Sequence, residues 1–401
     1  MCGLPTDQRE PLVTIAPPLS PIPRQRPRAE PRVGPTSAPM TPMLTVDLAT
    51  VRGSYRQLHA ALPGVDLHYA VKANPSQPVL DALRDEGACW DVASPGEIDA
   101  VLAVDPDPAR ISYGNTVKKP VDVAHAHARG VRQFSVDCDA ELDKLIDLAP
   151  GATLLVRITT SGAGADWALG QKFGCDEVTA GRLLARAVTH GHPVGICFHV
   201  GSQQHDVTAW DEPLATTARL RAVVRAHGSD LAVVDLGGGF PAHAADPTPD
   251  VPSFGHAIMA AVGRYLGPDV PPLMAEPGRV LVADAGTLET EVVLVSERAG
   301  RRWVYVDVGL FSGLAETMGE AIRYRITAHR DGRPLQGRTA DVVLAGPTCD
   351  SVDVLYQQHR PQLPLDLRVG DRLRIHAAGA YTTTYSSVGF NGFAPLREVH
   401  R

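Results

Sequence analysis

Residues 65–72 read Val-Asp-Leu-His-Tyr-Ala-Val-Lys, a short apolar run that ends on Lys72. Seven more such runs follow: Ala88–Val92, Arg110–Tyr113, Gln133–Val136, Thr153–Ile158, Val194–Val200, Leu231–Leu236 and Pro272–Ala275. Their ends carry residues capable of chemistry: Asp91 with Ser94, Asn115, Asp137, Arg157, His199, Gly237-Gly238-Gly239, and Glu276 with Arg279. Stretches of helical character lie between them, such as Ser76–Glu86, Pro95–Val104 and Thr179–His190. Strands alternating with helices predict a parallel sheet with crossover connections. Eight such units predict a closed TIM-type (β/α)8 barrel, with its chemistry at the C-terminal strand ends. An open doubly wound sheet also carries function on its loops, but it has no reason to stop at eight.

The chain has 401 residues, 44% hydrophobic and 21% charged, with a formal net charge of -7. That length accommodates one barrel and a smaller domain. Mild acidity, with no basic stripe interleaved with aromatics, argues against a nucleic-acid partner. No apolar run approaches the roughly 18 residues of a membrane span. Cys2, Cys89, Cys138, Cys175, Cys197 and Cys349 form no CxxC pair, and no metal site is expected. Cys89, Cys138 and Cys197 read as small core residues, in keeping with a reducing, cytoplasmic setting.

Residues 1–42 are punctuated by prolines from Pro17 to Pro42, with Arg24, Arg26, Arg28 and Arg32 between them. Such a segment cannot build a core and is expected to be disordered. It reads as an arm, or as a stretch upstream of a start at Met40 or Met43. The barrel is expected over 43–280, with 43–47 free to pair with a second domain. After Glu276-Pro-Gly-Arg279 the texture changes. Val280–Val282, Thr287–Val295, Trp303–Val308, Asp341–Leu344 and Arg372–His376 read as strands. They predict a β-rich C-terminal domain over 281–401, paired antiparallel, with a short helix at Ala315–Tyr324.

Lys72 at a strand mouth is either a surface charge or a buried amine of lowered pKa, able to condense with an aldehyde. Gly237-Gly238-Gly239 after an apolar strand lets backbone N–H groups approach an anion, although an ordinary tight turn has the same composition. Arg279 can meet a phosphate bidentately, and Glu276 can keep a pyridine nitrogen protonated. A structural ion pair is the alternative for both. His199 can stack on a flat ring and Ser202 can donate to a phosphate. In the C-terminal half, Cys349-Asp350 places a proton donor beside an anion. Lysine amine, anion cradle, ring-nitrogen carboxylate and stacking histidine together point to pyridoxal 5'-phosphate.

At this point the chain resembles the group IV (fold type III, alanine-racemase-type barrel) pyridoxal-phosphate-dependent amino-acid decarboxylases. The motifs YAVKAN, DVASPGE, HVGS, DLGGGFP, EPGR and GPTCDSVD occur in the family's order, followed by GAYT and FNGF, across roughly residues 43–395. The resemblance implies roles. Lys72 carries the cofactor covalently, His199 stacks on its ring, and Glu276 pairs with the ring nitrogen. Ser202, Gly237, Gly238, Gly239, Arg279 and Tyr381 hold the phosphate. Asp91 and Arg157 support the lysine and ring region, with Glu97 behind them. Cys349 returns a proton after carbon dioxide leaves, and Asp350, Tyr381 and Phe390 meet the substrate. Cys349 and Asp350 come from the partner in a homodimer with shared sites. Ser161–Lys172 matches a mobile lid.

GPTCDSVD, GAYT…FNGF and Asp307–Met318 look most like ornithine/lysine decarboxylases, which implies polyamine biosynthesis and a basic amino-acid substrate. One departure stands out: Gly319 occupies a position where an aspartate is common, and Arg325 one where proline is common. Losing one of two carboxylates at a buried ammonium costs roughly 2–5 kcal/mol. This predicts a modified, larger or differently charged basic amino acid, unless Glu316 or Glu320 takes over. The rivals are a diaminopimelate decarboxylase, an amino-acid racemase, a cofactor carrier and a regulatory pseudoenzyme. A racemase needs a partner tyrosine opposite Lys72, and a pseudoenzyme is expected to have lost Lys72, Glu276, Arg279 or Cys349.

Overall fold

The computed structural model describes residues 40–168 and 172–401; most of the proline-rich tail, residues 1–39, lies outside them. Eight parallel strands close into a barrel. They are Val65–Ala70, Cys89–Val92, Ile111–Tyr113, Gln133–Val136, Thr153–Arg157, Val194–Cys197, Leu231–Asp235 and Leu273–Ala275. The last pairs back onto the first, Leu273 against Val65. Each coincides with one of the eight apolar runs. The runs are nearly unbroken because a barrel strand is covered on both faces. Val156, Ile196 and Val234 face the helices, whereas Leu155, Cys197, Val233 and Met274 form a separate cluster. Successive side chains on a strand alternate faces, so this second set fills the barrel interior.

Crossover helices Gln77–Asp85, Pro95–Val104, Pro120–Ala128, Asp139–Leu148, Glu177–Thr189, Asp211–Ala226 and Val251–Leu266 form the outer ring. Leu48–Ala61, which precedes the first strand, packs between Val251–Leu266 and Gln77–Asp85 and completes it. Local chemistry sets the helix starts. Asp47, Ser94, Asp176 and Asp250 each accept a backbone N–H of the first turn. At Ser94 the Oγ accepts from Glu97 N (3.3 Å), and Glu97 Oε2 accepts from Ala93 N, one residue ahead of the cap (2.7 Å). Ser94 is therefore spent on architecture.

Val280–Val282, expected as a strand, lies in a one-turn helix, Arg279–Val282. Its all-apolar run is buried on every side, and such short runs do not distinguish helix from strand. The remaining chain forms a nine-stranded sheet. Its central strand, Gly286–Arg298, pairs with Arg372–His376 through its first half and with Arg301–Val306 through its second. Pairing is mixed, not purely antiparallel: Trp303–Tyr305 runs parallel to Val343–Ala345. Met43–Val46 adds to Gly286–Glu289 and runs parallel to Arg397–His400. Ala315–Glu320 is 3-10 helix broken at Met318 and Gly319, in place of a regular helix through Tyr324. Cys138 is exposed, against expectation, because it begins helix Asp139–Leu148 instead of ending a packed strand; Cys89 is half-buried and Cys197 buried.

Gly255 shows how tightly the outer ring is set. A Cβ there would lie 2.3 Å from Ala61 O and 2.7 Å from Ala61 Cβ. Alanine is favoured over glycine in a helix by up to about 1 kcal/mol, but contact with backbone overrides propensity. Gly255→Ala is therefore expected to lower the thermal midpoint, and a raised midpoint in calorimetry would contradict this close packing.

Candidate active site

The C-terminal mouth of the barrel collects Lys72, Asp91, Arg157, His199, Ser202, Gly237–Gly239, Glu276 and Arg279 from six different strand ends or the turns after them. A cavity there is lined by Ala70, Lys72, His199, Ser202, Gly239, Phe240, Glu276, Gly278, Arg279 and Tyr381. The barrel-derived residues expected from the sequence thus converge, and Tyr381 joins them from the second domain.

Lys72 Nζ donates to Asp91 Oδ2 at 2.7 Å. The Lys72 side chain is 48% exposed while Asp91 is 2% exposed, so the amine reaches the cavity from a buried anchor. Burial pulls its pKa down, but Asp91, Tyr381 and Glu276 outweigh it and the net shift is upward. The expectation of a lowered amine pKa is thereby corrected: a carboxylate in contact stabilises the ammonium more than desolvation destabilises it.

His199 lies beside the lysine. Burial, then Arg157, then Lys72 lower its pKa to about 3, so the imidazole is neutral. Nδ1 accepts from Gly201 N at 3.1 Å, which places the ring proton on Nε2. A Cβ on Gly238 would stand 3.1 Å from that Nε2 and 2.7 Å from Glu276 O. Gly237 has φ +67, and a Cβ there would lie 1.8 Å from Phe198 O. The glycines are thus required by close approach of the neighbouring strand ends.

Glu276 follows the eighth strand. Burial and then Asp91 raise its pKa to about 7, while Lys72 and a hydrogen bond shared with Asp235 oppose this. Arg279 is clamped by Glu316: Nη1 to Oε2 at 2.8 Å and Nη2 to Oε1 at 2.5 Å. Their side chains are 6% and 4% exposed. Arg279 Nη2 also reaches Ser202 Oγ at 3.3 Å, and the Tyr381 ring lies 5.0 Å from the guanidinium. Tyr381 has φ 54, a strained backbone for a bulky residue. It is held by its N–H bond to Ala73 O at 2.9 Å.

A pyridoxal phosphate fits this donor set. Arg279 Nε is buried without a partner. Gly238, Gly239 and Phe240 N–H groups also have no protein partner among the described residues. Together they offer donors for a phosphate at a glycine turn. Lys72 supplies the amine, Glu276 a carboxylate for a ring nitrogen, and neutral His199 a flat face. Phe173 lies 5.4 Å from the Arg157 guanidinium. Residues 169–171 of the expected lid lie outside the described residues, and Ala165–Trp167 pairs with Ser202–Gln204.

Cys349, Asp350 and Phe390 do not line this cavity. Cys349 is exposed, with Sγ 3.4 Å from Asn391 Oδ1, and Asp350 Oδ1 caps Val352 N at 3.0 Å. Phe390 packs on Phe311 with centroids 4.3 Å apart. Asp353 organises this face by accepting from Leu310 N, Thr348 N and Thr348 Oγ1. No hydrogen bond among the described residues joins this cluster to Lys72, His199 or Glu276. Sequence reasoning missed two acidic partners, Asp235 and the Glu316–Arg279 pairing; Asp235 at the head of the glycine turn was the available signal.

Comparison with known proteins adds to this geometry. Residues 48–283 match the family model for the pyridoxal-dependent decarboxylase, pyridoxal binding domain. The lysine/ornithine decarboxylase of Selenomonas ruminantium is 34% identical over 360 residues, covering 88% of each chain. The crystal structure of a Vibrio vulnificus lysine/ornithine decarboxylase complexed with putrescine superposes with a TM-score of 0.80 at 32% identity, covering 90% of this chain and 94% of that one. The arginine decarboxylase of Paramecium bursaria Chlorella virus gives 0.82 at 28% identity, covering 90% and 96%.

Removing Glu316 leaves a buried guanidinium without its counter-charge. Glu316→Ala is expected to destabilise the protein by about 3–5 kcal/mol, with Glu316→Gln intermediate. Chemical denaturation reads this, and a loss below about 1 kcal/mol, the scale of an exposed pair, would mean that the pair is not buried in solution.

Proposed function

Because the chain belongs to the pyridoxal-dependent decarboxylase family, we propose that it releases carbon dioxide from a basic L-amino acid, leaving the corresponding amine. The observation that carries this is the convergence of Lys72, His199, Glu276, Arg279 and the glycine turn on one cavity. When bound, the cofactor withdraws electrons from the substrate Cα and accepts the pair released with carbon dioxide. The chain's own residues then have distinct tasks. Lys72 provides the covalent anchor and Asp91 keeps its ammonium in reach. Glu276 keeps the ring nitrogen protonated. His199, held neutral, lies against the ring without adding positive charge. Gly238, Gly239, Ser202, Arg279 and Tyr381 grip the phosphate.

Cys349 returns a proton to Cα and Asp350 takes the distal ammonium, both from the partner subunit of a homodimer. Support comes from the exposure of Cys349 and from the fact that neither residue lines the Lys72 cavity of its own chain. A cytoplasmic setting agrees with free cysteines at the described positions. No described helix is long and apolar enough to cross a membrane.

The distal end of the substrate differs from plain ornithine. Gly319 has φ +62, and a Cβ there would meet open space, so the missing carboxylate leaves room. Neither expected stand-in is free. Glu316 is bound to Arg279. Glu320 accepts from Gln357 N, Gln358 N, His359 N and His359 Nδ1. A longer or differently charged basic side chain suits this arrangement. A racemase reading is disfavoured by the Cys349–Asp350 turn, and a diaminopimelate decarboxylase by Asp350 where that activity commonly has glutamate.

Carbon dioxide release from ornithine, lysine, arginine and diaminopimelate is the direct test. Slow turnover of ornithine and faster turnover of a larger substrate are expected; fast ornithine turnover refutes the altered specificity, and no release from any refutes the activity. Lys72→Ala is expected to abolish visible cofactor absorbance. Mixing Lys72→Ala with Cys349→Ala protein is expected to restore about a quarter of wild-type activity, by random pairing in a two-fold dimer. No recovery on mixing would refute shared sites.

A further inference from the structure

Asp235 closes the seventh barrel strand and is wholly buried. Oδ1 accepts from Gly237 N at 2.8 Å. Oδ2 has no N–H or hydroxyl donor, yet Asp235 and Glu276 are hydrogen-bonded to each other. Glu276 N in turn donates to Gly237 O at 2.9 Å. One side chain therefore touches both the first glycine of the phosphate turn and the carboxylate at the ring nitrogen. Two carboxylates cannot hydrogen-bond unless one carries a proton, and like charges this close cannot both ionise.

We propose that Asp235 is a positioning residue that carries this proton and donates it from Oδ2 to Glu276, fixing Glu276 as the charged carboxylate that faces the ring nitrogen. Oδ1 is the acceptor oxygen, since it receives Gly237 N–H, so the acid proton belongs on Oδ2. The surroundings divide the roles in the same sense. The groups that act most strongly on Asp235 are Glu276 and Asp91, with Cys197 beside it, and none of these is a cation, whereas Glu276 faces Lys72 and Arg157 as well as Asp91. The charge settles where the cations are. Burial raises Asp235 far above the ordinary carboxylate range, and the proximity of Glu276 adds to it. The same donor bond holds Glu276 below the value that its own burial would impose. This inference deepens the cofactor assignment above and rests on it only for the second measurement below.

Infrared spectroscopy of the apoprotein tests the proton directly. Above the Glu276 value of about 7, a neutral carboxylic-acid carbonyl band is expected in wild type and is expected to be lost in Asp235→Asn. A band that persists in Asp235→Asn, or that vanishes only in Glu276→Gln, overturns the assignment. This result does not depend on any cofactor. The second measurement is the affinity of the apoprotein for pyridoxal 5'-phosphate as a function of pH. Affinity falls as pH drops through the Glu276 pKa. In Asp235→Asn the amide N–H replaces the acid proton, so the acid limb is expected to stay in place. In Asp235→Ala the donor is lost, Glu276 rises, and the limb moves up by about one pH unit, the size of one charge-assisted hydrogen bond. If Asp235 were ionised, Asp235→Asn would remove a negative charge and move the limb down, which refutes the proposal. Failure of every variant and of wild type to bind the cofactor sinks the functional reading, while the infrared result still decides the location of the proton.

Discussion

Charge bookkeeping at the barrel mouth constrains the rest of the site. Asp91, Asp235, Glu276 and Glu316 meet Lys72, Arg157 and Arg279 there, with Asp91, Asp235, Arg279 and Glu316 buried. A lone buried charge is expensive and a matched pair is tolerable. The site resolves into two contact pairs, Lys72 with Asp91 and Arg279 with Glu316, and a carboxylic acid pair, Asp235 with Glu276. In the proposed assignment each pair serves one part of the site: the amine, the phosphate and the ring nitrogen. His199 remains outside this balance because burial and the adjacent cations keep it neutral.

Backbone geometry makes that balance possible. The turn after the seventh strand must pass so close to Phe198 and Glu276 that no side chain fits on Gly237 or Gly238. Asp235 holds the same turn by its first N–H. The glycine turn and Glu276 are thus not independent groups that happen to be adjacent. A shift of the seventh strand against the eighth moves both, which suits a site whose ligand must be gripped at both ends. Tyr381 provides a third fixed point, for its left-handed backbone is locked onto Ala73, next to Lys72.

The barrel was legible because its strands are covered on both faces and so read as apolar runs ending in polar chemistry. Lys72, Asp91, His199, Glu276 and Arg279 were found for the same reason: each stands at or just beyond a strand end. Arg279–Val282 was misread because four buried residues carry no period. The pairing of Glu316 with Arg279 was illegible because it joins residues 37 positions apart across two kinds of structure. Nor does local pattern tell a spent carboxylate from a free one. The amine of Lys72 shows the limit most clearly. Its position was visible, but the sign of its pKa shift depends on a 2.7 Å contact that sequence does not report.

Substrate choice follows from the same distinction between carboxylates that are present and carboxylates that are available. The loop from Ala315 to Glu320 holds two glutamates, and both have their oxygens engaged: one by a guanidinium, the other by a run of backbone N–H groups. Drawing either toward a substrate ammonium would strand its present partners, at a cost comparable to what the new contact supplies. Gly319, between them, contributes space and a left-handed turn but no charge. Met318 beside it is 61% exposed, an unbranched, adaptable side chain. Under the proposed assignment, in which Asp350 takes the distal ammonium, this loop offers space in place of a second charge. That is the physical basis for proposing a basic substrate extended beyond the five carbons of ornithine.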